Sequence, residues 1–121
     1  MDFSFSDEQT LLQESVSRFI TNDYGFESRQ KHSRSDVGYS LENWQTFAEL
    51  GWLGVPFSEN HGGFGGGAVE TMLMMEEFGK GLVVEPYLAT VVACGSALNE
   101  AGSEDQKTAY IPEIIDGSKL W

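Results

Sequence analysis

The stretch from Glu59 to Glu70, ENHGGFGGGAVE, holds five of the fourteen glycines in a chain of 121 residues. It can be read in two ways, and each leads to a different fold. Gly63 to Ala68 fits the dinucleotide fingerprint G-x-G-x-x-G/A, and Glu85 follows at about the 20-residue spacing of a ribose-binding acid. That reading requires a buried strand directly before the first glycine. The residues actually there are VPFSENH, with Pro56 and then a polar run from Ser58 to His61. No lysine follows to make a P-loop. The run therefore reads as a flexible lead-in to a helix, with glycine used where the backbone turns tightly or takes positive φ. Anion binding at the helix N-terminus is the minority reading.

Helical patterns extend to both sides. Ser6 with Gln9 forms a capping box, Asp7 and Glu8 suit the positive end of the helix dipole, and Leu11, Leu12, Val16, Phe19 and Ile20 recur at helical spacing. The spacing predicts a helix over residues 7–21. Residues 24–39 read as a loop or a frayed helix. Arg29, Lys31, His32 and Arg34 cluster there as a solvated face, with an anion-docking patch as the alternative.

Ser40 caps a second helix carrying Leu41, Trp44, Phe47, Ala48 and Leu50, and Gly51 stops it. A third helix over 68–78 presents Val69, Met72, Leu73, Met75 and Phe78, ended by Gly79 and Gly81. Its methionines read as adaptable core filler. Glu85-Pro86 opens a fourth helix, rich in small residues (Ala89, Ala93, Cys94, Gly95, Ser96, Ala97). Composition alone favours close packing of this helix, with room for a ligand as the alternative. Ser103 and Gln106 form another capping box, and Pro112 is expected to split the last helix in two. No segment alternates like a strand, so the expected fold is all-α with five to six helices.

Composition limits the function. Nineteen acidic against seven basic side chains give a formal charge of -12. That argues against a nucleic-acid binder, which needs Lys and Arg to displace counterions. Cys94 is the only cysteine, so no internal disulfide can form. The start MDFSFSDEQ lacks a signal-peptide pattern, and a cytoplasmic location is expected. His32 and His61 are the only histidines, and no His/Cys/Asp/Glu set has zinc spacing. Cys94 reads as an inert mid-helix thiol, and Glu76-Glu77 as solvated surface acids. Leu120 and Trp121 are apolar near the terminus, so a longer natural chain is expected.

Four blocks, FSFSDEQTLLQESVSRFI, FAELGWLGVPFSENHGGFGGG, MMEEFGKGL and AGSEDQKTAYIPEIIDGSKL, together resemble the amino-terminal helical domain of acyl-CoA dehydrogenases over residues 1–121. The segment from Gly65 to Leu98 is most similar to the small subunit of pimeloyl-CoA dehydrogenase and to related subunits that pair with a larger one. The resemblance implies a longer subunit with a middle β-domain and a carboxy-terminal helical domain, both absent from this chain. It implies FAD bound mainly by those domains, α,β-dehydrogenation of an acyl-CoA such as pimeloyl-CoA or another dicarboxyl-CoA, and reoxidation by an electron-transferring flavoprotein. It also implies assembly with like or related dehydrogenase subunits. No catalytic, cofactor or metal residue is expected within this chain, which alone would be inactive. One wall of the acyl pocket is expected from the fourth helix, through Pro86, Ala89, Thr90 and Ala93. The alternatives are a non-catalytic subunit of a heteromer and a free-standing helical interaction module.

Overall fold

The computed structural model describes residues 1–121 and is all-helical. Helix α1 spans Asp7–Asp23, α2 Phe26–Ser33, α3 Leu41–Glu49 and α4 Ala68–Gly81. A π-helical segment, Leu88–Gly95, runs directly into α5, Ser96–Ala101, and α6 spans Glu104–Ile115. Short 3₁₀ turns at Trp52–Gly54 and Glu59–His61 break up the long connection before α4.

Local chemistry starts the helices as expected. The Gln9 N–H donates to Ser6 Oγ (3.1 Å), and the Ser6 N–H donates back to Gln9 Oε1 (2.9 Å). Ser103 and Gln106 repeat this reciprocal cap at α6 (3.2 and 2.9 Å). Ser40 caps α3 through the Asn43 N–H (3.1 Å). Each such cap is worth about 1 kcal/mol.

Helices α1 and α4 run alongside each other in the same direction. Gln9 meets Glu70 and Gln13 meets Glu77, while Ile20 lies against Gly81, so the contacts advance together along both helices. A Cβ on Gly81 would come within 2.8 Å of Ile20 Cγ2. Between them lies an aromatic core. Phe47 stacks on Phe78 at 5.4 Å, Trp52 lies 5.3 Å from Phe47, and Phe19 meets both Phe47 and Trp52 edge-on. Tyr87 adds a further edge contact to Phe78 at 5.0 Å.

The structure departs from expectation at several points. Residues 26–33 form a complete short helix. Pro112 does not split α6. It lies in the last turn with Thr108 at the surface, so water can meet the Thr108 carbonyl that loses its intrahelical donor. The buried face of α4 is Leu73, Met74, Glu77 and Phe78, while Val69 and Met72 are exposed. Helix α4 also continues through Gly79 and Gly81. It closes at Leu82, the one non-glycine residue with positive φ (53°), through Val83 N–H to Phe78 O (3.0 Å). Glycine normally holds that position.

The glycine run is not an anion cradle, because its amides face inward. The N–H groups of Gly63, Phe64, Gly65 and Gly66 donate to the carbonyls of Ser58, Gly54, Phe57 and Val55, at 3.0, 3.1, 2.7 and 2.7 Å. The Gly62 N–H donates to Glu59 O (3.1 Å). The Gly67 N–H donates to Glu70 Oε2 (2.8 Å), so the protein's own carboxylate occupies the place an anion would take at the α4 N-terminus. Glycine is required at Gly63 because a Cβ would overlap the Phe57 carbonyl and approach Gly54 O at 2.7 Å. Glu85, the candidate ribose acid, is buried well away from this role, against Tyr24 and Asn43.

Two stability predictions follow from these geometries. Leu82 is 55% exposed and left-handed, so Leu82→Gly is expected to raise unfolding stability by about 1 kcal/mol in urea melts. A loss would mean that the leucine side chain contributes packing that outweighs its backbone strain. The Glu70 carboxyl is held below its ordinary value of 4.5 by the Gln9 amide first and then by the Gly67 N–H. Its stabilisation is therefore complete above about pH 4.5 and is lost as pH falls through the lowered folded-state value. Glu70→Ala should cost about 1 kcal/mol at neutral pH, and the difference from wild type should shrink in acid. A penalty independent of pH would contradict this assignment.

Candidate functional site

The segment Glu85–Ala101 forms one side of the domain. Its inner face is fixed at Tyr87, Val91 and Gly95, a spacing of four that suits the wider π-helical turn. Tyr87 is buried, and its hydroxyl donates to Trp52 O (2.9 Å) and lies 3.4 Å from Met74 Sδ. Burial pushes this phenol's pKa well above its ordinary value. Gly95 permits the closest approach, since a Cβ there would meet Phe57 Cζ at 2.6 Å. The outer face carries Leu88, Ala89, Ala93, Cys94 and Ala97, all exposed. Between Leu88 and Ala97 the exposed residues are uncharged, with Ser96 the one polar side chain apart from the Cys94 thiol, and all are small apart from Leu88.

The expected pocket-lining residues do not all share that face. Ala89 and Ala93 are exposed on it, and Pro86 is half-buried at its start. Thr90 points the other way. It is 0% exposed, and its hydroxyl bonds the Trp121 backbone, donating to the carbonyl (3.2 Å) and accepting from the N–H (3.3 Å). Thr90 stands three residues after Tyr87 and next to Val91, so it shares their inner face.

Cys94, expected to be inert within a helix, is exposed. With Ala97, Leu98, Tyr110, Ile114 and Trp121 it lines an apolar groove of about 430 Å³. The Trp121 ring meets Tyr110 edge-on at 5.5 Å.

Upstream of this face, a polar cluster holds the strap from Leu82 to Tyr87. Glu85 is 4% exposed. Its Oε2 accepts from the Tyr24 hydroxyl (3.1 Å) and its Oε1 from Asn43 Nδ2 (3.2 Å). The Tyr24 hydroxyl accepts in turn from the Val84 N–H (3.0 Å). Burial, together with the Glu85 charge, raises the Tyr24 pKa well above its ordinary value. Arg29 Nε donates to Leu82 O (2.9 Å), so one member of the basic cluster serves as a structural tie. Glu77 is not a solvated acid either. It is 3% exposed, receives Lys80 Nζ at 2.7 Å and lies 3.3 Å from Gln13 Nε2.

A second pocket, of about 600 Å³ and with a mixed polar and apolar lining, lies where α1 meets the glycine run. Leu11, Leu12, Leu50, Trp52, Val55 and Phe64 supply its apolar surface, and Glu8, Glu59 and Glu70 stand around it. Helical spacing groups Leu11 with Leu12, Val16, Phe19 and Ile20 on one apolar face of α1. Leu11 is exposed instead, because α1 buries the face of Val16, Phe19 and Ile20, and Leu11 lies off that face. No group of His, Cys, Asp and Glu side chains is arranged to hold a metal ion, and no helix is long and apolar enough to cross a membrane.

Comparison with known proteins places this architecture. Residues 6–118 match the family model "Acyl-CoA dehydrogenase, N-terminal domain". The short-chain specific acyl-CoA dehydrogenase of Clostridium acetobutylicum is 28% identical, over 99% of this chain and 32% of its own length. Among solved structures, butyryl-CoA dehydrogenase from Megasphaera elsdenii superposes with a TM-score of 0.83 at 26% identity, over 99% of this chain and 32% of that one. An acyl-CoA dehydrogenase complexed with FAD from Bacillus anthracis superposes with a TM-score of 0.85 at 26% identity, over 97% of this chain and 20% of that one. The chain thus spans about a third or less of the length of these relatives. With the family model covering nearly every residue of an all-helical domain, the chain belongs to the acyl-CoA dehydrogenase family, in the region of its amino-terminal domain.

Proposed function

We propose that this chain is the amino-terminal helical domain of a flavin-dependent acyl-CoA dehydrogenase subunit, which removes hydrogens from the α and β carbons of an acyl-CoA thioester. In this reading the outer face of Leu88–Ala97, entered through Pro86, is one wall of the acyl pocket. The observation that carries the reading is the exposed apolar face of Leu88, Ala89, Ala93 and Ala97, presented by a segment whose opposite side is fully packed. Such a face does no chemistry. It excludes water and fixes the acyl chain's direction, so that the reacting carbons stand in one place.

The glycine-rich loop is not read as a seat for the FAD phosphates. It has every amide from Gly62 to Gly67 engaged internally. Flavin binding and the catalytic carboxylate are therefore assigned to the middle and carboxy-terminal domains of the longer subunit.

The wall also bears on the substrate. A pimeloyl group ends in a carboxylate, and residues 86–101 contain no Lys, Arg or His to meet it. This wall suits an alkyl or ring-bearing acyl group, and a dicarboxyl substrate would need its counter-charge from another domain.

The pocket at Leu11, Leu12 and Phe64 supports a second part of the reading, docking of the electron-transferring flavoprotein that reoxidises the enzyme. Phe64 is 65% exposed at its edge, and the surrounding Glu8, Glu59 and Glu70 suit a partner that presents an apolar anchor beside cationic side chains. Assembly with like or related dehydrogenase subunits belongs to the same reading.

The full-length protein is expected to take up FAD and to reduce a dye acceptor with an acyl-CoA. Ala93→Phe should raise KM for long acyl chains about tenfold, while a short chain such as butyryl-CoA changes little. Phe64→Asp should slow turnover with the flavoprotein acceptor about tenfold and leave the dye-coupled rate unchanged. Absence of flavin uptake, alone or with a partner subunit, would overturn the enzyme reading in favour of an interaction module. Uptake without turnover would favour a non-catalytic subunit.

A further inference from the structure

We propose that Glu85 is a positioning residue, whose carboxylate sets where the Pro86–Gly95 wall stands and thereby how the acyl group fits. The inference rests on the reading of that wall as part of an acyl pocket.

Glu85 immediately precedes the wall, and the strap around it is held by three other parts of the fold. Arg29 on α2 holds Leu82 O at 2.9 Å. Tyr24, at the end of α1, receives the Val84 N–H at 3.0 Å and donates to Glu85 at 3.1 Å. Asn43 on α3 reaches the other Glu85 oxygen at 3.2 Å. The wall begins only after these ties, and its next anchor is the Tyr87 hydroxyl on Trp52 O.

The choice of a carboxylate here is notable because no cation pairs with it within 4.0 Å, the Arg29 guanidinium binding Leu82 O instead. None of the four ion pairs in the chain includes Glu85, and its two partners are a phenol and an amide. Burying a carboxylate against neutral donors is a poor way to gain stability. What it supplies is two acceptors at a fixed separation, one facing the end of α1 and one facing α3. That arrangement fixes the strap in two directions at once. An aliphatic side chain at this position would fix neither direction. A shift of the strap would pass to Pro86, Ala89 and Ala93, because only the bend at Glu85–Pro86 and Tyr87 separate it from the π-helical segment.

The test uses the full-length protein with Glu85→Ala, Glu85→Gln and Tyr24→Phe, reading steady-state kinetics and amide hydrogen exchange. Glu85→Ala and Tyr24→Phe should raise KM for the acyl-CoA at least about fivefold with kcat within about twofold. They should also speed exchange across residues 86–95. Glu85→Gln should keep near-native values, because its carbonyl can accept from Tyr24 and its amide can donate to a flipped Asn43. If Glu85→Ala fails to fold, Tyr24→Phe alone carries the comparison. A folded variant with unchanged KM and unchanged exchange would overturn the proposal, as would Glu85→Gln proving as impaired as Glu85→Ala. If the wild-type protein turns over no acyl-CoA, the pocket reading fails and the role in acyl fit fails with it. The exchange data would then report separately whether the Tyr24–Glu85–Asn43 clamp sets the wall.

Discussion

The packing of Phe47 against Phe78 is the contact on which the rest of the domain depends. It joins α3 to α4 at 5.4 Å, with Trp52 lying against both rings. Phe19 brings α1 to the same cluster, and Tyr87 brings the start of the π-helical segment. Aromatic pairs of this kind add about 0.5–1.5 kcal/mol each beyond their area burial. They also set distances. Once Trp52 is fixed, the carbonyls of Gly54, Val55 and Phe57 are placed just beyond it, and the glycine run crosses them with its amides turned inward. The Trp52 carbonyl then receives the Tyr87 hydroxyl, which orients the segment that follows.

Much of this fold was legible from local signals. Both reciprocal capping boxes and the Ser40 cap depend on residues three apart, so they could be read without knowing any tertiary partner. The glycine run was correctly read as helix lead-in because the residues before it cannot form a buried strand. Features that depend on a distant partner were not legible. The buried face of α4 follows from where α1 and α3 lie, which is why Met74 is inside and Met72 outside. Pro112 is tolerated because the carbonyl it deprives of a donor belongs to Thr108 at the surface, and that depends on exposure rather than sequence spacing.

The candidate site was legible only in part. The small-residue character of Ala89, Ala93 and Ala97 is plain in the sequence, and the resemblance to acyl-CoA dehydrogenases gave that character a meaning. The inward position of Thr90 depends on which face of the segment packs on the core, and its bonds to Trp121, 31 residues away, carry no local signal. Glu85 reads in the sequence as a candidate ribose acid and as the opening of the fourth helix. Its partners, Tyr24 and Asn43, are 61 and 42 residues away in sequence, and no local pattern links them. Glu77 was hidden for the same reason, since Gln13 lies 64 residues away. Polar groups buried by tertiary contact are the ones that periodicity misses.

The central claim is that the outer face of Leu88–Ala97 lines an acyl group. The most direct measurement is photo-crosslinking of the full-length, flavin-loaded protein with an acyl-CoA that carries a diazirine near the end of its acyl chain, followed by peptide mapping. The account predicts adducts within residues 86–97 and none within the glycine run from Gly62 to Gly67. Adducts confined to the glycine run, or labelling of other domains with residues 86–97 untouched, would contradict it.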